Sequence, residues 1–175
     1  MAEVHIIGNL DGGEGFSSPN LSCKWCFETG GAWRLLEGVK DGQTQVDHPI
    51  DEGRAHWAHP IDLHYAIKGI QGWPKVSLQV FSEDIYGRTQ LVGYGFVHLP
   101  TSPGFHEIEC PTWQLAGTAL DQVQSYFVGN GPQLINDDVI ASGSDRYRLQ
   151  TIASGTVYLS LYIVTRNFNK FGIES

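Results

Sequence analysis

The sequence predicts an all-β fold, an antiparallel β-sandwich carrying one short helix, and three observations lead there. Apolar and polar residues alternate with period two through most of the chain, the alternating runs are short, and clusters of Gly, Pro, Asn and Asp separate them. About nine short strands with turn signals between them pair as a sandwich or a barrel.

Taken in chain order, the first run lies near residues 2 to 8. Cys23, Trp25 and Phe27 then oppose Lys24, Cys26 and Glu28, and a further run covers 32 to 37. The stretch from Asp41 to Ala58, with Asp47, Asp51 and Glu52, has no periodicity and is expected to be an irregular loop. Alternation resumes at 61 to 67. Val76, Leu78 and Val80 oppose Ser77, Gln79 and Phe81, and runs at 91 to 99 and 105 to 110 follow. Thr118 to Val128 alone reads as helical, with Leu120, Val123 and Phe127 at i, i+3 and i+7 between Gly117 and Gly129. The last two strands are expected near 145 to 152 and 156 to 165.

The final run is unusual because both faces are apolar: Val157, Leu159, Leu161 and Ile163 on one, Tyr158, Tyr162 and Val164 on the other. A sandwich strand needs burial on one face only, so the second requires cover from the helix, a loop or another protein. Tyrosines combine an apolar ring with a polar tip and suit interfaces, which makes Tyr158, Tyr162 and Val164 the candidate partner-binding residues.

A chain of 175 residues is enough for one core and is read as one domain, 1–175. Its formal charge of -8, from 19 acidic and 11 basic residues, repels phosphate backbones and argues against nucleic acid as a partner. Only weak, salt-sensitive contact with acidic lipid is expected. Its candidate residues are Arg146 and Arg148, which share a strand face at i and i+2 near the more basic end of the chain. The N-terminal residues resemble no export signal, and no run approaches the roughly 20 apolar residues of a membrane helix. The reading is therefore a cytosolic protein with Cys23, Cys26 and Cys110 reduced.

Motifs for chemistry are weak. Cys23-Lys24-Trp25-Cys26 matches C-x-x-C, but residues three apart on a strand face opposite ways and no second cysteine pair completes a zinc site. His56, His59, Asp62 and His64 form the densest set of potential ligands, interrupted by Pro60; ordinary surface histidines explain the same pattern. Gly93-Tyr94-Gly95 falls within a strand run, where a bulge or close backbone packing accounts for it better than a nucleotide fingerprint. No nucleophile elbow or phosphate loop is present, so neither an enzyme nor a cofactor is expected. Glu83 and Asp84, in the hairpin-like loop before Gly87, are the carboxylates to weigh for calcium. Two adjacent acids beside Arg88 offer few of the oxygens calcium needs, and no metal is expected.

The run from Gly72 to Gly87, GWPKVSLQVFSEDIYG, followed by LVGYGFVHLP at 91 to 100 and Cys110-Pro-Thr-Trp113, closely resembles the B9 domain. His59-Pro-Ile-Asp-Leu-His64, Gly155-Thr-Val-Tyr-Leu159 and Arg166-Asn-Phe-Asn169 extend the resemblance over nearly the whole chain. It implies a C2-like β-sandwich and a non-enzymatic role at the ciliary transition zone, basal body and centrosome. There B9 proteins join one another and membrane partners in the Meckel syndrome (MKS, tectonic-like) complex, supporting ciliogenesis and the ciliary gate. The alternative it implies is a phosphoinositide- or calcium-dependent lipid-binding module.

Overall fold

A computed structural model describes residues 1–50, 53–116 and 151–169, and these form nine antiparallel strands. They are β1 (Ala2–Glu14), β2 (Leu21–Glu28), β3 (Trp33–Gly38), β4 (Asp41–Gln43), β5 (Arg54–Ile67), β6 (Lys75–Glu83), β7 (Thr89–His98), β8 (Gly104–Leu115) and β9 (Thr151–Arg166). Hydrogen bonding orders them β3-β5-β1-β9-β8-β7-β6-β2-β4. The ladder between β7 and β8 is a single pair, Tyr94 opposite Trp113, so the sheet divides there into two halves that face each other. On the opposite side the chain after β4 laces the halves together. Leu21 bridges Asp47, the Cys23 N–H donates to Thr44 Oγ1 at 2.9 Å, and the Trp57 indole N–H donates to the Leu21 carbonyl at 2.9 Å.

The core is what the alternation dictates. One half contributes Val4, Ile6, Leu63, Leu159 and Leu161, the other Cys23, Phe27, Val76, Leu78 and Val80, all essentially excluded from solvent. The sandwich expected from the sequence is thus present as an all-β antiparallel structure. Gly93 and Gly95 serve close packing. A Cβ at Gly93 would lie 2.9 Å from Thr112 Oγ1, one at Gly95 would lie 2.9 Å from Cys110 Sγ, and a bulge at Val92 adjoins them.

The expected irregular loop from Asp41 to Ala58 is corrected by two elements, β4 and the first residues of β5. β4 has three residues, too few to show a period, and borders β2 opposite Lys24 to Cys26. The start of β5 is disguised by Ala58, at φ +44°, and by Pro60. Pro60 pairs with Asn9 on one side, whereas β3 covers β5 only from Leu63 to Ile67, so its missing N–H costs no ladder bond. The helix expected at Thr118 to Val128 lies outside the described residues. So does most of the run expected at 145 to 152, whose last two residues open β9.

Candidate interaction face on the outer side of the sheet

The apolar second face of β9 points away from the core, beside outward side chains of its neighbours. Ile7 of β1 and Phe105 of β8 both stand opposite Tyr162, and the Phe105 and Tyr162 rings are 4.8 Å apart, tilted 43°. Val164 lies one outward position along β9, opposite His5. Exposure is 42% for Ile7, 48% for Phe105, 53% for Tyr162 and 50% for Val164, so four large apolar side chains form a solvent-facing band across three strands.

Tyr158 is on the same face but is already engaged. Its hydroxyl donates to Glu14 Oε1 at 2.6 Å, and the Arg54 guanidinium stacks 4.5 Å from its ring centre. The hydrogen bond to Glu14, followed by partial desolvation and the charges of Glu14 and Glu109, pushes its phenol pKa above the ordinary value. Ser160 likewise bonds Asp11. The structure therefore separates the sequence candidates: among the described residues nothing engages Val164 and only the Phe105 ring meets Tyr162, whereas Tyr158 braces β1 against β9.

Polar groups flank the band. On one side, toward Tyr158, stand the exposed Glu107 and Glu109, and exposed Asp62 ends the row opposite Ile7. On the other, His5 and His64 stack with ring centres 3.6 Å apart, His64 Nε2 lies 3.4 Å from Glu3, and Arg166 reaches the same carboxylate at 3.5 Å. Ile7 and Phe105 were not among the sequence candidates. Their signal was present: Ile7 follows buried Ile6, and Phe105 is an odd number of residues from buried Ile108, so each falls on the outer side.

The loop at Glu83 and Asp84 uses its acid internally. Asp84 Oδ1 accepts the N–H groups of Tyr86 (2.8 Å) and Arg88 (2.9 Å), and Oδ2 accepts the Arg88 Nε–H at 2.7 Å. The Arg88 backbone N–H foremost, with its guanidinium and the Tyr86 N–H, holds the Asp84 carboxyl below its usual pKa. Gly87, at φ +75°, permits the tight return. Glu83 closes β6 through its backbone, its N–H donating to the Asn20 carbonyl at 2.9 Å, and Asp47 Oδ2 accepts the His56 N–H at 2.8 Å. Among the described residues no three His, Cys, Asp or Glu side chains converge as metal ligands. His59 instead lies by Trp25, ring centres 5.8 Å apart.

Cys23 faces the core and Cys26 the outer surface, as strand geometry requires. Burial pushes the Cys110 thiol up to about 12 and raises Cys23 and Cys26 as well, leaving all three protonated and poor nucleophiles at neutral pH. Arg146, Arg148 and Asp51 lie outside the described residues.

The structure is thus an antiparallel β-sandwich whose Asp84 carboxylate is committed to its own loop and whose strands β1, β8 and β9 carry an apolar band on the outer face. The family model for B9-C2, described as ciliary basal body-associated B9 protein, matches residues 4–164, and the chain belongs to that family. Within it, the chain is 55% identical to human B9 domain-containing protein 2 over 174 residues, covering 99% of each, and 30% identical to mouse B9 domain-containing protein 1, covering 97% of this chain and 85% of that protein. The C2A domain of plant Extended Synaptotagmin 1 superposes with a TM-score of 0.44 at 10% identity, over 93% of each chain.

Proposed function

We propose that the chain works as a single non-catalytic interaction module, 1–175, that binds other B9 proteins within the transition-zone (MKS, tectonic-like) complex at the base of the cilium. In this reading it supports ciliogenesis and the ciliary gate from the cytoplasmic side, at the transition zone, basal body and centrosome. Membership of a basal body-associated family supports the location. The observation that carries the binding role is the exposed band of Ile7, Phe105, Tyr162 and Val164.

The band has the makeup of an interface centre: an aromatic pair and two aliphatic groups, rimmed by charged and polar side chains. Truncating a Tyr at such a centre costs about 2 kcal/mol or more of binding, roughly a thirtyfold loss of affinity. The test is the double variant Tyr162→Ser, Val164→Ser in a pull-down with co-expressed B9 proteins. The expected result is loss of the partner with an unchanged melting transition. Retention at wild-type affinity, or an unfolded variant, overturns the assignment of this face.

A further inference from the structure

At the β3 edge of the same half-sheet, a cavity of about 440 Å³ opens between β3 and the end of β5. Its shape follows from residue size. Met1, Gly31, Ala32, Trp33 and Ala66 line it, and Gly31 and the two alanines contribute little or no side chain. The backbone there is anchored from the opposite, core face: the Trp33 indole N–H donates to the Gln71 carbonyl at 3.1 Å, and its ring packs edge-on to Trp73 with centres 5.1 Å apart.

Two cations complete the lining, Arg34 and Lys68. Arg34 stands opposite Ala66, and the Lys68 N–H bonds the Ala32 carbonyl at 3.0 Å, which sets the two basic residues diagonally across the pair of strands on one face. Diagonal neighbours lie about 7–8 Å apart, within reach of a common ligand for side chains this long. Both are exposed, and among the described residues neither has an ion-pair partner. The carboxylate nearest along the ladder, Glu3 across Ala66, is already taken by Arg166 and His64. No acid lines the cavity, although the chain as a whole carries a charge of -8.

We propose that this cleft binds a phosphate ester, with Arg34 and Lys68 clamping the phosphate and the small-residue floor receiving the group esterified to it. A guanidinium fork beside an ammonium suits a multiply charged phosphate better than a single carboxylate. The site is separate from the 83–88 hairpin loop and from the Tyr162 band, and it does not depend on how the latter is used. The phosphate can come from a soluble ester or from a lipid headgroup. Ile70, 52% exposed and two residues beyond Lys68, is the side chain that would meet acyl chains in the second case.

The experiment uses two probes: glycerol phosphate in calorimetry, and sedimentation of phosphatidylcholine vesicles with and without phosphatidic acid. Wild type is expected to bind at least one probe in a phosphate-dependent way. Removing both charges in Arg34→Gln, Lys68→Gln should weaken binding by about 25-fold, at about fivefold per basic residue. Ala32→Leu, which fills the floor and keeps both charges, should abolish glycerol phosphate binding, as diffuse surface charge would not require. Ile70→Ser should weaken vesicle binding alone if the source is lipid and change neither if it is a soluble ester. Wild type binding neither probe, a folded double variant binding like wild type, or Ala32→Leu binding like wild type would each overturn the proposal.

Discussion

Leu161 and Tyr162 are neighbours on one strand with opposite surroundings: Leu161 is sealed in the core, while Tyr162 is 53% exposed beside Phe105. Tyr158, four residues earlier on Tyr162's face, shows a third condition, reached by solvent but bound by Glu14 and Arg54. Exposure alone therefore does not mark a contact surface. What distinguishes Tyr162 and Val164 is exposed apolar surface that the described residues leave uncovered.

The largest effect that would break this comparison is on the inner side. Leu161→Ala should destabilise the fold by about 2–5 kcal/mol in denaturant unfolding, through lost burial and a residual cavity. A cost below about 1 kcal/mol would show the two faces of β9 to be less different than they look. Next is Tyr158→Phe, expected to lower Tm by about 2–4 °C through loss of the hydrogen bond to Glu14. The bond needs the neutral phenol, whose pKa is raised in the folded state, so its contribution is intact below the ordinary phenol value and lost as pH rises through the raised one. Tyr158→Phe should accordingly flatten the alkaline fall in stability.

Smaller still, Tyr162→Ser should change folding stability by no more than about 0.5 kcal/mol while impairing partner capture, the reverse of Leu161→Ala. The smallest effect is local. Asp84 is another exposed but committed group, and its carboxyl pKa is lowered, so its hold on the loop is present above the ordinary carboxyl value and fades as pH falls through the lowered one. Asp84→Asn should speed amide exchange at Tyr86 and Arg88 near neutral pH with little change in Tm. Unaltered exchange there would remove the distinction between committed and free exposed groups at this loop.

The strands of the core were legible because Cys23 to Phe27 and Val76 to Val80 alternate with period two and Val157 to Ile163 is a long apolar run. Where the backbone breaks period, as at Ala58, or an element is as short as β4, the signal vanishes although the pairing remains. The apolar excess on β9 singled out its second face, which carries Tyr158 and Tyr162. It could not separate Tyr158 from Tyr162, because the partner of Tyr158 is 144 residues away in sequence. The Arg34 and Lys68 cleft was invisible for a similar reason: its floor is made by Ala32, in the turn before β3, and Ala66 of β5, whose juxtaposition no local pattern records.

The placement of β1 between β5 and β9 also sets the order in which this molecule can be made. One flank of β1 waits for β9, the last of the described strands in chain order, and contacts that distant must overcome loop-closure entropy before they contribute, which slows folding. Until β9 arrives, β1 has one unpaired edge and β8 retains only its single bridge to β7. Bare edges of this kind recruit strands from other chains. A nascent chain paused before Thr151, or one ended there by a premature stop, would thus be an aggregation hazard in search of a chaperone as well as a protein lacking its outer face.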